Sequence, residues 1–520
     1  MRNLRNRLVF LISCIVLLVC SVFVSAASIY PLKSNVTLTY WMELHTNVAL
    51  IAKNFGDIPF AKDLEKRTGV KVKYIHPAAG QAREAFNLML ASGDLPDIIE
   101  YNWYAIPGGP NSAIDNGQIL KLNPVMAKYA PNLRSYLRGN KDLDRMIKTD
   151  EGNYYVFPFF RGDPSLLVTA GPIVRKDWLD ELGLKVPETY DEWYTVLKAF
   201  KEKKGATAPL TVPYLSLTTM LAGGADSYGN FYVEKGKVGF GPILPARKRY
   251  FETLNKWYEE GLLDRNFSTL TGKVVDANIL GGKSGATYGP GGSGIGRYLD
   301  SVKGKDGKFN LVGAPYPSAK KGVRPKFANA TPAFGNNHGN AAITTRCKNV
   351  EAAARLLDYG YSKEGSMFYN FGTEGLTYKM VDGNPIYTEL IQKNPEKLSN
   401  TQVMSKYMRA HTNGPFVQDK RYLDQYYEYA QQKEAMGRWR NSDHLKYILP
   451  PVTPTPDESA ELTKIMGDIN TFIDEYSLKF IMGVEPVSKF DEYVAQIKKM
   501  GIDKAIAINQ KALARYEKRK

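Results

Sequence analysis

The run "LASGDLPDIIEYNWY" (Leu90–Tyr104) decides how this chain folds. A helical pattern stops at Ser92-Gly93, the chain turns through Asp94 and Pro96, and Ile98-Ile99 then head into a core. Just upstream, "QAREAFNLMLASG" reads as one more helix, and "VKVKYIHP" before it alternates as a strand. Further back, "FAKDLEKRTG" (Phe60–Gly69) reads as a helix with a glycine stop, after a first strand in "NVTLTYWMELH" (Asn35–His45) that ends near Trp41. Strand, helix, strand, helix, strand is the order of βαβ units, which predicts a parallel sheet. In open sheets of this kind ligands lie beyond the carboxyl ends of the strands. Trp41, Glu43 and His45 stand at one such end; Asn102, Trp103 and Tyr104 stand at another.

Beyond that first unit, "EGNYYVFPFFRGDP" (Glu151–Pro164) is an aromatic strand broken by Pro158 and Pro164 around Arg161 and Asp163. A second α/β pattern follows in "LLVTAGPIVRKDWLDELGL" and "ETYDEWYTVLKAFKEKKG", where Thr189 and Glu192 have capping-box spacing. In the amphipathic "PARKRYFETLNKWYEEGLLD", Trp257 and Tyr258 read as core. The glycine-rich "YGPGGSGIGRYLD" (Tyr288–Asp300) lacks the Lys-Ser/Thr ending of a nucleotide loop and has no acidic partner at dinucleotide spacing. It predicts a loop running into a helix, with Tyr288 and Arg297 lining a crevice. "NAAITTRCKNVEAAARLLDYGYS" is a strand and then a helix capped by Asn349, and Asp382-Gly383-Asn384 turns a strand pair that begins near Tyr378. At the end, Ser488 caps and Gly501 separates two helices.

At 520 residues the chain exceeds what one simple core serves, and 43% hydrophobic with 23% charged residues is a globular composition. The formal charge is +16, with Lys and Arg spread rather than gathered in blocks. That reads as a soluble basic surface with no nucleic-acid partner; attraction of anionic ligands or an anionic cell wall is the alternative. Arg2, Arg5 and Arg7 precede an apolar run from Leu8 to Val24 and then "SAAS", the layout of an export signal over residues 1–27. Cys14 and Cys20 fall inside it, and Val19 fits poorly as the residue before a lipid-modified Cys20; an uncleaved anchor stays open. Only Cys347 remains, so no internal disulfide and no cysteine metal site is expected. The histidines at 45, 76, 338, 411 and 444 lack metal-ligand spacing, and no metal or other cofactor is expected.

Taken together, the export signal, "ASGDLPDII", "VFPF", "RKDWLDELGLKVPETYDEWYTVLKAFK", "LNKWYEEGLLD" and the tail "VSKFDEYVAQIKKMGIDKAIAINQKALARY" resemble the extracellular solute-binding proteins of ABC importers. Within these the chain is similar to the large oligosaccharide-binding branch. The resemblance implies a two-lobed, periplasmic-binding-protein-like α/β fold, each lobe a mixed, mainly parallel sheet flanked by helices and joined by hinge strands. It implies an N-lobe of residues 28–160 and 325–375 and a C-lobe of 161–324 and 376–520, with crossings near Phe159–Asp163, between Tyr316 and Phe334, and near Phe371–Tyr387. It also implies an exported monomer at the cell surface, or in a periplasm, that hands an oligosaccharide to membrane permease subunits. Some relatives carry a calcium loop after "KAFK"; here "EKKGATAPL" offers one carboxylate, too few for that ion.

A sugar presents C–H faces that rings cover and hydroxyls that amides and charges satisfy. The ligand-binding candidates are therefore the two strand ends, Arg161 and Asp163 at the first crossing, Tyr288 and Arg297, Asn337 and His338 in "FGNNHGN", Tyr378, and the outlying Trp439. A uronate carboxylate would suit a two-pronged arginine. The rival reading is an exported polysaccharide hydrolase or lyase. Such an enzyme needs two carboxylates flanking the scissile bond, and no such pair or nucleophile elbow singles itself out.

Overall fold

The computed structural model describes residues 29–334, 339–396 and 398–519. The expected export signal with Cys14 and Cys20, and the candidates Asn337 and His338, lie outside the described residues. Strand β1 (Thr37–Met42) is followed by helix Pro59–Thr68, β2 (Lys71–Ile75), helix Ala82–Ser92 and β3 (Ile98–Glu100). The helix Pro59–Thr68 ends where Gly69 turns left-handed at φ 73°, and a Cβ there would lie 2.2 Å from the Leu32 carbonyl oxygen. β2 and β3 pair parallel on either side of β1, as predicted. Asp97 holds the register: its carboxylate accepts both the Thr39 N–H and the Thr39 hydroxyl at 2.8 Å.

Alternation then sorts the side chains. Leu38, Tyr40, Met42 and Ile98 face one apolar layer, while Trp41 and Ile99 face another beneath Phe86, Tyr101 and Trp103. The aromatic "VFPFF" segment is less regular than predicted. Phe157 makes a single bridge to Ala341, Pro158 has no N–H to give, and only β4 (Phe160–Arg161) is a strand.

The next strand, β5 (Ala170–Arg175), is buried along its whole length, and a hairpin of β6 (Phe231–Glu234) and β7 (Lys237–Phe240) follows. Both β8 (Ala286–Pro290) and β9 (Leu311–Gly313) flank β5 antiparallel. The second lobe's sheet is thus antiparallel in its ladder, correcting the expectation of a mainly parallel one. The parallel segment beside it touches only through single bridges from Leu210, because Pro209 and Pro213 bound it and lack amide donors. β10 (Ala341–Ile343) rejoins the first sheet antiparallel to β3. β11 (Tyr378–Val381) and β12 (Asn384–Tyr387) form the predicted hairpin about Asp382 and Gly383, both at positive φ. β13 (Val417–Gln418) pairs with β4.

Two packing centres result. The first gathers Leu38 to Phe160 with Phe334 to Tyr369, and the second gathers Leu166 to Ala328 with Phe371 to Ala505. Phe416 returns to the first centre between Ala410 and Tyr422 of the second, a passage that sequence periodicity did not suggest. Thr189 caps helix Tyr190–Lys204, with the Glu192 carboxylate accepting the Glu188 amide at 2.8 Å. Ser488 lies inside a short 3-10 turn, so the cap of helix Phe490–Lys499 falls at Lys489 instead; Gly501 separates the last two helices as read. Arg515 and Arg519 both hold Asp150, at 2.9 and 2.7 Å, and fasten the C-terminal helix to the first lobe.

Candidate functional site

The chain passes between the two centres where β4 runs beside β13 and the Arg161 amide donates to the Ala333 carbonyl at 2.9 Å. Arg161 is half-buried there. Its Nη1 donates to the Leu166 carbonyl at 3.2 Å and to Gln418 at 3.4 Å, while its Nε is enclosed with no hydrogen-bond partner among the described residues. Burial lowers its pKa, opposed by the nearby hydroxyls of Tyr422 and Tyr427. Arg440, like Arg161, lies near enough to Tyr427 to act on its hydroxyl; it is also half-buried, with Nε enclosed and without a partner among the described residues, and its pKa is likewise lowered by burial. Neither guanidinium has a carboxylate within ion-pair distance among the described residues. Asp163 is engaged otherwise: it caps the turn Pro164–Leu166 and pairs with Lys420 at 3.0 Å. Two under-satisfied arginines, packed against the buried Tyr422 and Tyr427 rings, can take up an anionic or hydroxyl-rich ligand.

Two smaller groups hold other candidates. His45 caps the short helix Thr46–Ala49 and stands edge-on to His411 at 6.1 Å, with its pKa lowered by burial and then by Arg409. Burial pulls His411 down to about 3, so it stays neutral and binds Ser405 at 2.9 Å. In the second lobe, the Tyr288 hydroxyl accepts from Asn329 at 2.7 Å and lies 3.3 Å from that of Tyr316. Glu43 is half-buried near Tyr101.

The other candidates fall elsewhere. Trp103 is wholly enclosed, its ring 5.3 Å from Phe86, and Trp41 lies in the same layer, so both build the core behind the sheet. Asn102 caps the turn Trp103–Ala105 through its carbonyl oxygen, and Tyr104 packs towards Tyr155 and Phe334. Trp439 is enclosed too: its indole N–H donates to the carbonyls of Ala314 and Pro172 at 3.0 and 3.2 Å, and its ring fills the space that a Cβ at Gly171 would need. Tyr378 is buried against Phe371. Gly291–Gly296 winds as a π-helical turn into helix Arg297–Val302, and Arg297 turns to Asp276 at 2.8 Å. Tyr422, Tyr427 and Arg440 were not singled out from the sequence; the tyrosine-dense "RYLDQYYEYA" was the available signal.

The family model for bacterial extracellular solute-binding protein matches residues 55–367. A fructooligosaccharide ABC transporter substrate-binding protein of Streptococcus pneumoniae serotype 4 is 24% identical, over 94% of this chain and 92% of its own. A lipoprotein of Bacillus subtilis (strain 168) is 25% identical over 67% of this chain and 69% of its own. The crystal structure of an alginate-binding protein without calcium ion overlays with a TM-score of 0.74 at 25% identity, covering 94% of this chain and 99% of that one.

Proposed function

The chain belongs to the family of bacterial extracellular solute-binding proteins, and from that premise we propose that it captures an oligosaccharide between its lobes and delivers it to the permease of an ABC importer. The observation that carries the ligand class is the pair of under-satisfied guanidiniums, Arg161 and Arg440, about Tyr427. The arginines favour a ligand bearing carboxylates, each able to accept two parallel N–H bonds. Glu43, His45, Asp163 and Tyr288 complete the proposed contacts, and hinge closure brings the lobes together around the sugar. The charged and apolar N-terminal sequence and the lipoprotein relative support an exported protein held at the membrane surface. It acts as a monomer and leaves the sugar unaltered.

A thermal-shift panel of neutral and acidic oligosaccharides tests the reading. A ligand at a hundred times its dissociation constant adds about 2.7 kcal/mol and raises the melting temperature. A panel with no stabilising glycan, or measurable cleavage of any of them, overturns it; cleavage would revive the hydrolase or lyase.

A further inference from the structure

Helices Pro131–Arg138 and Lys141–Met146, with Tyr154 and Arg519, line an open cavity of about 530 Å³ in the first lobe, and none of its residues belongs to the site above. Arg134 and Arg138 stand one turn apart on the first helix, and Lys141 and Arg145 one turn apart on the second. Like charges at that spacing repel, and here both pairs line the same space.

Compensation within the protein is thin. Arg134 donates to the Ala127 carbonyl at 2.9 Å, and Arg145 has Asp142 only at 3.9 Å, on a carboxylate that is 89% exposed. Arg138 and Lys141 have no ion-pair partner among the described residues. Asp144, the only carboxylate of the lining, already binds Lys148 at 2.6 Å and the Tyr154 hydroxyl at 2.5 Å. Arg519, enclosed at the base, is held by Asp150, Thr453 and the Pro451 carbonyl, which makes a fixed floor.

We propose that this cavity binds a phosphate-bearing anion, free or as a lipid headgroup. Four arginines and Lys141 line it, from two helices and from Arg519, and Arg138 and Lys141 keep no ion-pair partner among the described residues. Forks converging from different directions suit a compact anion with several acceptor oxygens better than a single flat carboxylate.

Calorimetric titration of the full chain with inorganic pyrophosphate tests the site, beside the double variant Arg134→Gln/Arg138→Gln and the control Lys203→Gln on an exposed helix surface. Wild type and control bind, more weakly as salt rises; the double variant binds about a hundredfold more weakly, about tenfold for each guanidinium removed. Arg138→Gln alone serves where the double variant does not fold, and binds about tenfold more weakly. Co-sedimentation with phosphatidylglycerol and phosphatidylcholine vesicles identifies the source through the difference between wild type and variant. A loss confined to the anionic vesicles assigns a headgroup, and equal sedimentation assigns a free anion. No pyrophosphate binding, or equal binding by wild type and variant, overturns the proposal.

Discussion

Replacing Arg409 with methionine asks how much one buried ion pair contributes to the joint between the lobes. Arg409 lies in the segment that returns from the second centre towards β13, and it meets Glu100 at the end of β3. Its Nη2 lies 2.6 Å from Glu100 Oε1 and its Nη1 3.1 Å from Oε2, while the Tyr40 hydroxyl donates to Oε2 at 2.6 Å. The two side chains are only 7% and 3% exposed. In Arg409→Met the carboxylate keeps Tyr40 alone and stays buried. An uncompensated charge of this kind costs about 3–5 kcal/mol. At about 2–4 °C per kcal/mol for a lobe of this size, the melting temperature falls by roughly 10 °C. The triple variant Tyr40→Phe/Glu100→Met/Arg409→Met removes both charges and the hydroxyl left without an acceptor, and should regain most of the loss, since a well-packed apolar replacement is near neutral. Thermal and urea unfolding followed by circular dichroism measure both. An Arg409→Met protein within about 1 kcal/mol of wild type, the range of an exposed pair, would refute the reasoning; so would a triple variant no more stable than the single one.

Arg440→Gln should weaken an acidic oligosaccharide about tenfold, one charge-assisted contact, while a neutral one of equal length and the melting temperature change little; calorimetry compares the two ligands. Trp103→Ala should cost about 3–5 kcal/mol through the cavity it leaves, seen as a lower urea midpoint, and equal affinity in the folded protein is expected because the ring is sealed from ligand. His444 lies enclosed beside Tyr228 and Phe327, and burial brings its pKa down from 6.5 to about 4. Its contribution is therefore complete above pH 6.5 and fades as the pH falls towards 4. By pH 5 the loss is about 2 kcal/mol, and His444→Phe should flatten that part of the difference between urea unfolding at pH 8 and pH 5.

Most of the first lobe was legible because its signals are local. Alternation in β1 and β2, the glycine stops at Gly69 and Gly93, and the turn through Pro96 each act over a few residues, and βαβ order then dictates a parallel sheet. The antiparallel second sheet was not legible, because pairing direction around β5 depends on which distant segments arrive beside it. The candidate site divides on the same line. Arg161 stood out by its place between two prolines, whereas Arg440 and Tyr427 reach it only through tertiary packing, from far along the chain.

Sequence alone determined most element types, because short-range periodicity and turn residues carry them, and its linked motifs carried the resemblance to the extracellular solute-binding proteins of ABC importers. Tertiary structure decided which aromatic rings are sealed. Trp41 and Trp103 point to the layer roofed by Phe86, and Trp439 plugs the gap over Gly171. It also decided which arginines remain under-satisfied, since a side chain's partners depend on segments that its own neighbours in sequence do not specify.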